Sequence, residues 1–330
     1  MIVPVYNGEA YLSECLDSVV SQAFQDYEIV VVDDGSTDNT ASICRLYSSR
    51  DARIRVVSQS NQGLLIARRI GLLESKGDYV LFVDSDDCIR VDTLQVCSDA
   101  IDEHGFDIVV FGMIRGVSRS CIGGIALGQI KASACGIDRF RCGVLRGKTN
   151  SLCGKAIRRS IIDISVSYED YRGMMHGEDL LQLLPIADCA KKCGYIAEGL
   201  YLYRVNDQSS TACYKDSQLD DLETLFPRLI EYGQKWGHLI DAQVGIFVQY
   251  VTLAKILYLS KNNRKKRADS LGKMSESLVN QRFNGNTEAL SALRIDNRLL
   301  IGAILRKRDS LCFVIVRVVK WVKQIRRLRR

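Results

Sequence analysis

Seven acidic residues in three short clusters hold most of the chemistry in this sequence: Asp33-Asp34, Asp84-Ser85-Asp86-Asp87 and Glu178-Asp179. Carboxylates this close repel, and each is costly to desolvate unless a cation or donor compensates it. The tetrad follows the apolar run Tyr79-Val80-Leu81-Phe82-Val83, so its charge falls where a buried strand reaches solvent. Open α/β sheets bind their ligands there, beyond the carboxyl ends of the strands. A divalent metal holding a phosphorylated ligand satisfies such a cluster compactly. A strand-to-helix turn with caps and exposed acids satisfies it with no ligand at all. There is no G-x-G-x-x-G after the first strand and no G-x-x-x-x-G-K-[ST], which disfavours a dinucleotide dehydrogenase and a P-loop ATPase. A nucleotide held without a glycine cradle needs side chains for its base and ribose and a cation for its phosphates. Asp34 is then a candidate for a uracil-like N–H, Asp84 for a ribose hydroxyl and Asp86 for the metal.

The elements that must position these residues alternate in kind. Ile2 to Val5 reads as a strand, and Tyr11 to Ala23 as a helix with Leu12, Cys15, Leu16, Val19 and Val20 on one face. Tyr27 to Val32 reads as a strand covered on both faces, ending at Asp33-Asp34-Gly35. Ser36, Thr37 or Asp38 is expected to cap the helix that follows through Tyr47. Asp33 serves equally as a turn residue or a ligand contact. Arg53–Ser58 is a third strand, and Asn61-Gln62-Gly63 opens a helix expected to bury Leu64, Ala67, Ile70 and Leu73. A strand over Asp78–Val83, a helix over Val91–Glu103 and a strand over Asp107–Gly112 complete a parallel sheet with helices on both faces.

Residues 113–150, broken by Gly116, Gly123, Gly124, Gly128 and Gly136, read as loops and short elements crossing one end of the sheet. A short strand over Ser151–Arg159, a helix start at Ile161–Ile164, a buried helix over Leu180–Ile186 with an acidic first turn, and a strand over Gly194–Tyr203 follow. After Asn206-Asp207-Gln208-Ser209-Ser210 only helices are expected: Leu219–Trp236, Ile240–Leu259, Ala268–Val279 and Thr287–Leu305, with Lys261–Arg267 as a basic linker. The segment Leu311–Arg330 interleaves Leu311, Val314, Val318, Val319, Val322 and Ile325 with basic residues around Trp321. That is the pattern of a helix lying in a membrane interface, or of a packing or dimer helix with a solvated basic side.

Composition bounds the rest. A chain of 330 residues with 47% apolar and 25% charged residues is ordinary for a globular protein and allows one large core or two modest ones. The net charge of +6 is misplaced as a whole-chain property: ten Lys/Arg against one Asp in 306–330 leave the rest mildly acidic. Nucleic-acid binders more often carry positive charge over a face of the folded body. The twelve cysteines form no C-x-x-C pair, which argues against a zinc knuckle and a disulfide framework. The start has no basic n-region before a long apolar run, so no signal peptide is expected, and no segment offers an uninterrupted membrane span.

Five stretches, in order, give the chain a resemblance to glycosyltransferase family 2, the inverting enzymes that use nucleotide-sugar donors. They are Val3-Pro4-Val5-Tyr6-Asn7, Val32-Asp33-Asp34-Gly35-Ser36-Thr37-Asp38, Asn61-Gln62-Gly63-Leu64 with Ala67-Arg68, Asp84-Ser85-Asp86-Asp87 and Gly177-Glu178-Asp179, covering about residues 1–210. The resemblance implies a Rossmann-like GT-A fold with a mostly parallel central sheet. Residues 1–112 would form its nucleotide-sugar half, 113–215 its acceptor half, and 216–330 a helical region ending in the basic amphipathic helix. It implies that Pro4, Tyr6 and Asp34 line the base with Arg68 near it, and that Asp84 and Asp86 form the D-x-D pair, Asp86 binding Mn²⁺ or Mg²⁺. Asp179 would be the general base on the acceptor hydroxyl, with Lys155, His176 and Glu178 as candidate acceptor or diphosphate contacts. Leu152-Cys153-Gly154-Lys155 and Tyr201-Leu202-Tyr203-Arg204 look like the acceptor-side half of bacterial capsular, cell-wall or exopolysaccharide enzymes.

Two departures stand out: Arg69 where the family often has Asn, and a first strand with almost nothing before it, open to fraying. The expectation is therefore a cytoplasmic enzyme, peripheral on the inner face of the cell membrane. It would transfer sugar from a UDP-sugar to a saccharide or lipid-linked acceptor, bind no nucleic acid, and be free to form homo-oligomers. The rival is a non-catalytic nucleotide-sugar or membrane-surface module; a weaker one is a hydrolase that gives the sugar to water.

Overall fold

The computed structural model describes residues 1–117, 130–205, 213–260, 262–281 and 287–328. Gly123, Gly124, Gly128, Lys261, the expected turn over 206–210, Arg329 and Arg330 lie outside the described residues, as do the side chains of Lys323 and 325–328. The chain divides into two compact units, Met1–Phe140 with Ser151–Asn206, and Arg141–Asn150 with Asp207–Arg330.

In the first unit, strand β1, Ile2–Val5, is parallel to β2, Ile29–Asp33, which is parallel to β3, Ile54–Ser58. Every residue of β1 and β2 is buried, so β1 is not frayed. Its pairing with β2 and a parallel bridge from Ile2 to Phe82 supply the partners that its short sequence does not. The helices α1, Leu12–Val20, α2, Thr40–Arg50, and α3, Leu64–Glu74, connect and cover this sheet. The strand that precedes the acidic tetrad, β4, is Tyr79–Leu81. Beyond it come β5, Cys88–Ile89, helix α4, Thr93–His104, β6, Ile108–Gly116, and β7, Ser133–Cys135. After α5, Ile137–Leu145, which begins in the first unit and ends in the second, β8 is Lys155–Arg158, α6 is Glu178–Cys189 and β9 is Cys193–Arg204.

These later strands make a second, mixed sheet in the order β4-β8-β6-β9-β5, with β7 also on β9. The parallel geometry expected of the whole sheet thus holds for β1-β2-β3 and for the β6/β9 pair, and the remaining pairings are antiparallel. The β6/β9 register shifts on both sides of Gly112, where Phe111 faces Ile196 but Met113 faces Tyr201. A Cβ on Gly112 would lie 2.6 Å from the Glu198 carbonyl oxygen, so only glycine lets the bulged strand come this close.

The buried face of α3 differs from the one that apolar spacing predicts. Leu64 and Leu73 are exposed, while Leu65, Ala67, Arg68, Gly71 and Leu72 are buried. Gly71 lies against Ile2 and Val32, and the charged Arg68 turns inward because carboxylates wait for it there. An apolar-periodicity rule cannot foresee a buried arginine.

The second unit is helical. Helix α7, Ser217–Lys235, buries Leu219, Leu222, Phe226 and Leu229 at helical spacing. Helix α8, Leu239–Leu259, is long and apolar enough to cross a membrane by length and composition, but it is mostly buried as the unit's core. From Arg264 onward the expected basic linker is instead the start of α9, Arg264–Asn280, where the Asn263 side chain caps the first turn by accepting from the Lys266 N–H at 2.8 Å. The single helix expected over 287–305 is two, α10, Thr287–Ser291, and α11, Ile295–Leu305. Arg298 Nη2 donates to the Ser291 and Leu293 carbonyls at 3.1 and 3.2 Å, satisfying acceptors that the break leaves open. The last helix, α12, is Asp309–Leu328.

Candidate functional site

Arg68 is the hub of the site. Only 1% of its side chain is exposed, and its Nη2 donates to Asp84 Oδ1 at 2.9 Å while its Nη1 donates to Asp179 Oδ1. Glu178 Oε1 lies 3.9 Å from the same Nη1. One buried guanidinium therefore joins the end of β4 to the first turn of α6, whose acids lie more than ninety positions away in the chain. A cation this deeply buried is tolerated only because carboxylates surround it. Both helices that carry the cluster open at glycines with left-handed backbone, Gly63 at φ +89° and Gly177 at φ +90°, a conformation costly for any other residue.

Glu178 and Asp179 occupy the start of α6, where the helix dipole favours negative charge. Asp179 keeps 22% of its side chain exposed, enough for a ligand to reach, whereas Glu178 keeps 14%. Burial and the charge of Asp179 push the Glu178 carboxyl upward, with Arg68 acting in the opposite sense. Lys155 on β8 is 2% exposed, and its Nζ donates to the Ser151 carbonyl. Burial pushes its ammonium down to about 8, although the negative charge of Asp179 pulls the other way. His176 is half-buried on the segment leading into α6.

The acidic tetrad is held from behind by two residues of β9. Tyr201 accepts from the Asp84 N–H at 3.1 Å and donates to Asp87 Oδ2 at 2.7 Å. Arg204 donates its backbone N–H to Asp87 Oδ1 and its Nε to the Asp86 carbonyl, both at 2.7 Å, and its Nη2 to Glu14 Oε2 at 2.6 Å. Both oxygens of Asp87 are thus engaged in shaping the turn; burial and the charge of Asp84 push its carboxyl up to about 8. Tyr201 and Arg204, which the sequence alone placed on the acceptor side, thus support the acidic tetrad. The signal for them was the aromatic and basic pattern at the end of β9, but pairing them with the tetrad needs the strand register.

Asp33 and Asp34 end β2 and are both buried. Asp33 Oδ1 accepts from the Ser36 N–H at 3.0 Å, a turn contact. Asp34 accepts from Gln59 Nε2 at 2.6 Å, from the Gln62 N–H at 2.9 Å and from the Gly63 N–H at 2.8 Å. It therefore fixes the loop that opens α3. Pro4 is buried at the end of β1, and Tyr6 just beyond it is half exposed. Arg69 turns away from Arg68 and donates to the Asp163 carbonyl at 2.9 Å. Pro4, Tyr6, Asp34, Arg68, Asp84, Asp86, Lys155, His176, Glu178 and Asp179 all belong to the first unit; direct ion pairs join Arg68, Asp84, Glu178 and Asp179.

The donor set fits a hard divalent cation. Asp84 and Asp86 are half-buried carboxylates at a strand end, of the kind that could hold such an ion, whereas both oxygens of Asp87 accept hydrogen bonds from β9. Mg²⁺ and Mn²⁺ sites of this kind complete their shell with water and substrate phosphate.

Residues 1–120 match the family model described as Glycosyl transferase family 2. The chain is 49% identical over 110 residues to the glycosyltransferase GlyA of Streptococcus pneumoniae serotype 4, a match covering 33% of this chain and 16% of that protein. With the glycosyltransferase GlyG of the same organism it shares 30% identity over 218 residues, 62% of this chain and 69% of GlyG. In structure it is similar to S. aureus TarS, solved over residues 1–349 in complex with UDP-GlcNAc, with a TM-score of 0.64 at 21% identity over 97% of this chain and 90% of that one.

Proposed function

Because the chain belongs to glycosyl transferase family 2 and has the GT-A fold, we propose that it is an inverting glycosyltransferase. In this reading it moves a hexose or N-acetylhexosamine from a UDP-sugar to a saccharide or lipid-linked saccharide in the synthesis of a surface polysaccharide. The observation that carries the reading is the buried Arg68 bridge, which holds a strand-end acid and a helix-start acid in one cluster. Displacing a nucleoside diphosphate in one inversion needs a base on the acceptor side and positive charge beside the leaving group. Only one protein carboxylate is then needed at the anomeric carbon, unlike the flanking pair of a glycosidase.

Asp179 takes the proton of the acceptor hydroxyl as that oxygen bonds to the anomeric carbon and the bond to the diphosphate breaks. Arg68 orients Asp179 and ties it to the donor-side Asp84, which accepts from the ribose. Pro4, Tyr6 and Asp34 bound the base, His176 and Glu178 contact acceptor or diphosphate, and Lys155, expected beside them, lies buried behind this surface on β8. Asp86 would hold Mn²⁺ or Mg²⁺, which when bound stabilises charge on the departing diphosphate. Helix α12 places the enzyme on an anionic membrane surface, where a lipid-linked acceptor is found.

Calorimetric titration of UDP with and without Mn²⁺ tests the donor site: binding that needs the metal is expected, and absent or metal-indifferent binding overturns the metal-dependent reading. Asp179→Asn is expected to lower turnover by about 10²–10⁴-fold with UDP affinity kept. Unchanged function in that variant would instead identify a binding module.

A further inference from the structure

The helical unit contains a second group of ligating side chains, different in chemistry from the acidic cluster. Cys142 on α5, His238 at the N-cap of α8 and Asp241 in the first turn of α8 each offer one ligand atom, and these atoms all lie within 4.8 Å of one another. Cys142 Sγ is 3.3 Å from Asp241 Oδ2, and His238 Nδ1 is 3.6 Å from the same oxygen. A tetrahedral zinc ion with Zn–S of about 2.3 Å and Zn–N or Zn–O of about 2.0–2.1 Å sets its ligand atoms about 3.3–3.5 Å apart. The Cys142–Asp241 separation lies at that spacing and the His238–Asp241 separation just beyond it.

We propose that Cys142, His238 and Asp241 form a zinc site inside the helical unit, with water or a further ligand in the fourth position. Thiolate, imidazole and carboxylate together suit zinc, whereas the all-oxygen cluster of the donor site suits manganese or magnesium. Arg146 Nε donates to Asp241 Oδ1, and this outer contact fixes the carboxylate and directs Oδ2 to the other two ligands. The thiolate and the carboxylate offset the two positive charges of the bound ion, while Arg146 keeps its contact to the other oxygen of Asp241. The scaffold is close-packed: a Cβ on Gly245 would lie 1.8 Å from the Leu145 carbonyl oxygen, so α5 rests directly on α8. Gly237, at φ +72°, makes the turn that delivers His238 to the site. A bound ion would clip the segment Arg141–Asn150 onto the helices that follow residue 207.

The test is titration of the metal-free full-length protein with Co²⁺ as a spectroscopic stand-in for zinc. A thiolate-to-cobalt charge-transfer band is expected, displaced by one equivalent of Zn²⁺ and indifferent to excess Mg²⁺. Cys142→Ser and His238→Gln should each abolish it while circular dichroism and metal-dependent UDP binding persist. Zinc should also raise the melting temperature of the wild type by several degrees and not that of either variant. No charge-transfer band in the wild type, or a band that survives in Cys142→Ser, overturns the proposal. Should one variant fail to fold, the other variant and the wild-type titration still decide whether the ion is bound by these side chains. UDP binding is read separately, so failure here leaves the donor site untouched.

Discussion

At the scale of single residues, two buried cations behave differently because their surroundings differ. Arg68 sits among Asp84, Glu178 and Asp179, and its cost of burial is offset by direct ion pairs. Lys155 is as deeply buried but donates to a carbonyl, and its ammonium is pushed from 10.5 down to about 8. The consequence for stability has a definite sign. Below about pH 8 both states hold the proton; between there and the unfolded value only the unfolded chain holds it, so stability rises with pH. Lys155→Met removes this titration. Urea unfolding should therefore show the wild type gaining about 2 kcal/mol on the variant between about pH 7 and pH 10. A difference that stays flat, or falls, would show that Lys155 is not held as described.

Among the elements, β9 does more for the site than its sequence advertises. It pairs with β6 on one edge and with β5 and β7 on the other, and its register slips at Gly112 before it presents Tyr201 and Arg204 to the tetrad. Gly112→Ala forces a methyl against the Ala197 and Glu198 carbonyls, which cannot rotate away as a side chain would. We expect a loss of about 1–3 kcal/mol in unfolding free energy, typical of overpacking, together with weaker UDP binding because the tetrad loses its support. Unchanged stability and affinity would mean that the bulge is incidental to the site. The helix starts were legible from Gly63 and from Gly177-Glu178-Asp179, since capping and left-handed glycines act locally. The face of α3 was not, because Arg68 is buried by partners from β4 and α6 rather than by its own periodicity.

For the whole molecule, the chain divides into a unit built on two sheets and a helical unit. Helix α12 buries Cys312 and Val316 and leaves Leu311, Val314, Val318 and Trp321 exposed, Trp321 at 62%. With Arg317 and Lys320 between them, these residues suit an anionic lipid surface, where each basic side chain adds about 1 kcal/mol. Sedimentation with vesicles containing phosphatidylglycerol should show salt-sensitive binding. Replacing Val318 and Trp321 together by Glu should weaken it about tenfold or more without unfolding the protein. Equal partition of wild type and variant would assign this face to something other than lipid.

The alternation of strands and helices, the places where acids end buried strands and the family could all be read from the chain alone, because they rest on local periodicity, turn chemistry and short motifs. Which acids meet could not. Arg68 bridges Asp84 and Asp179, Tyr201 and Arg204 hold Asp87, and Cys142 comes within reach of Asp241. These groups are brought together by strand register or helix packing across long stretches of chain. No residue carries in its own neighbourhood the identity of a partner that lies a hundred positions away.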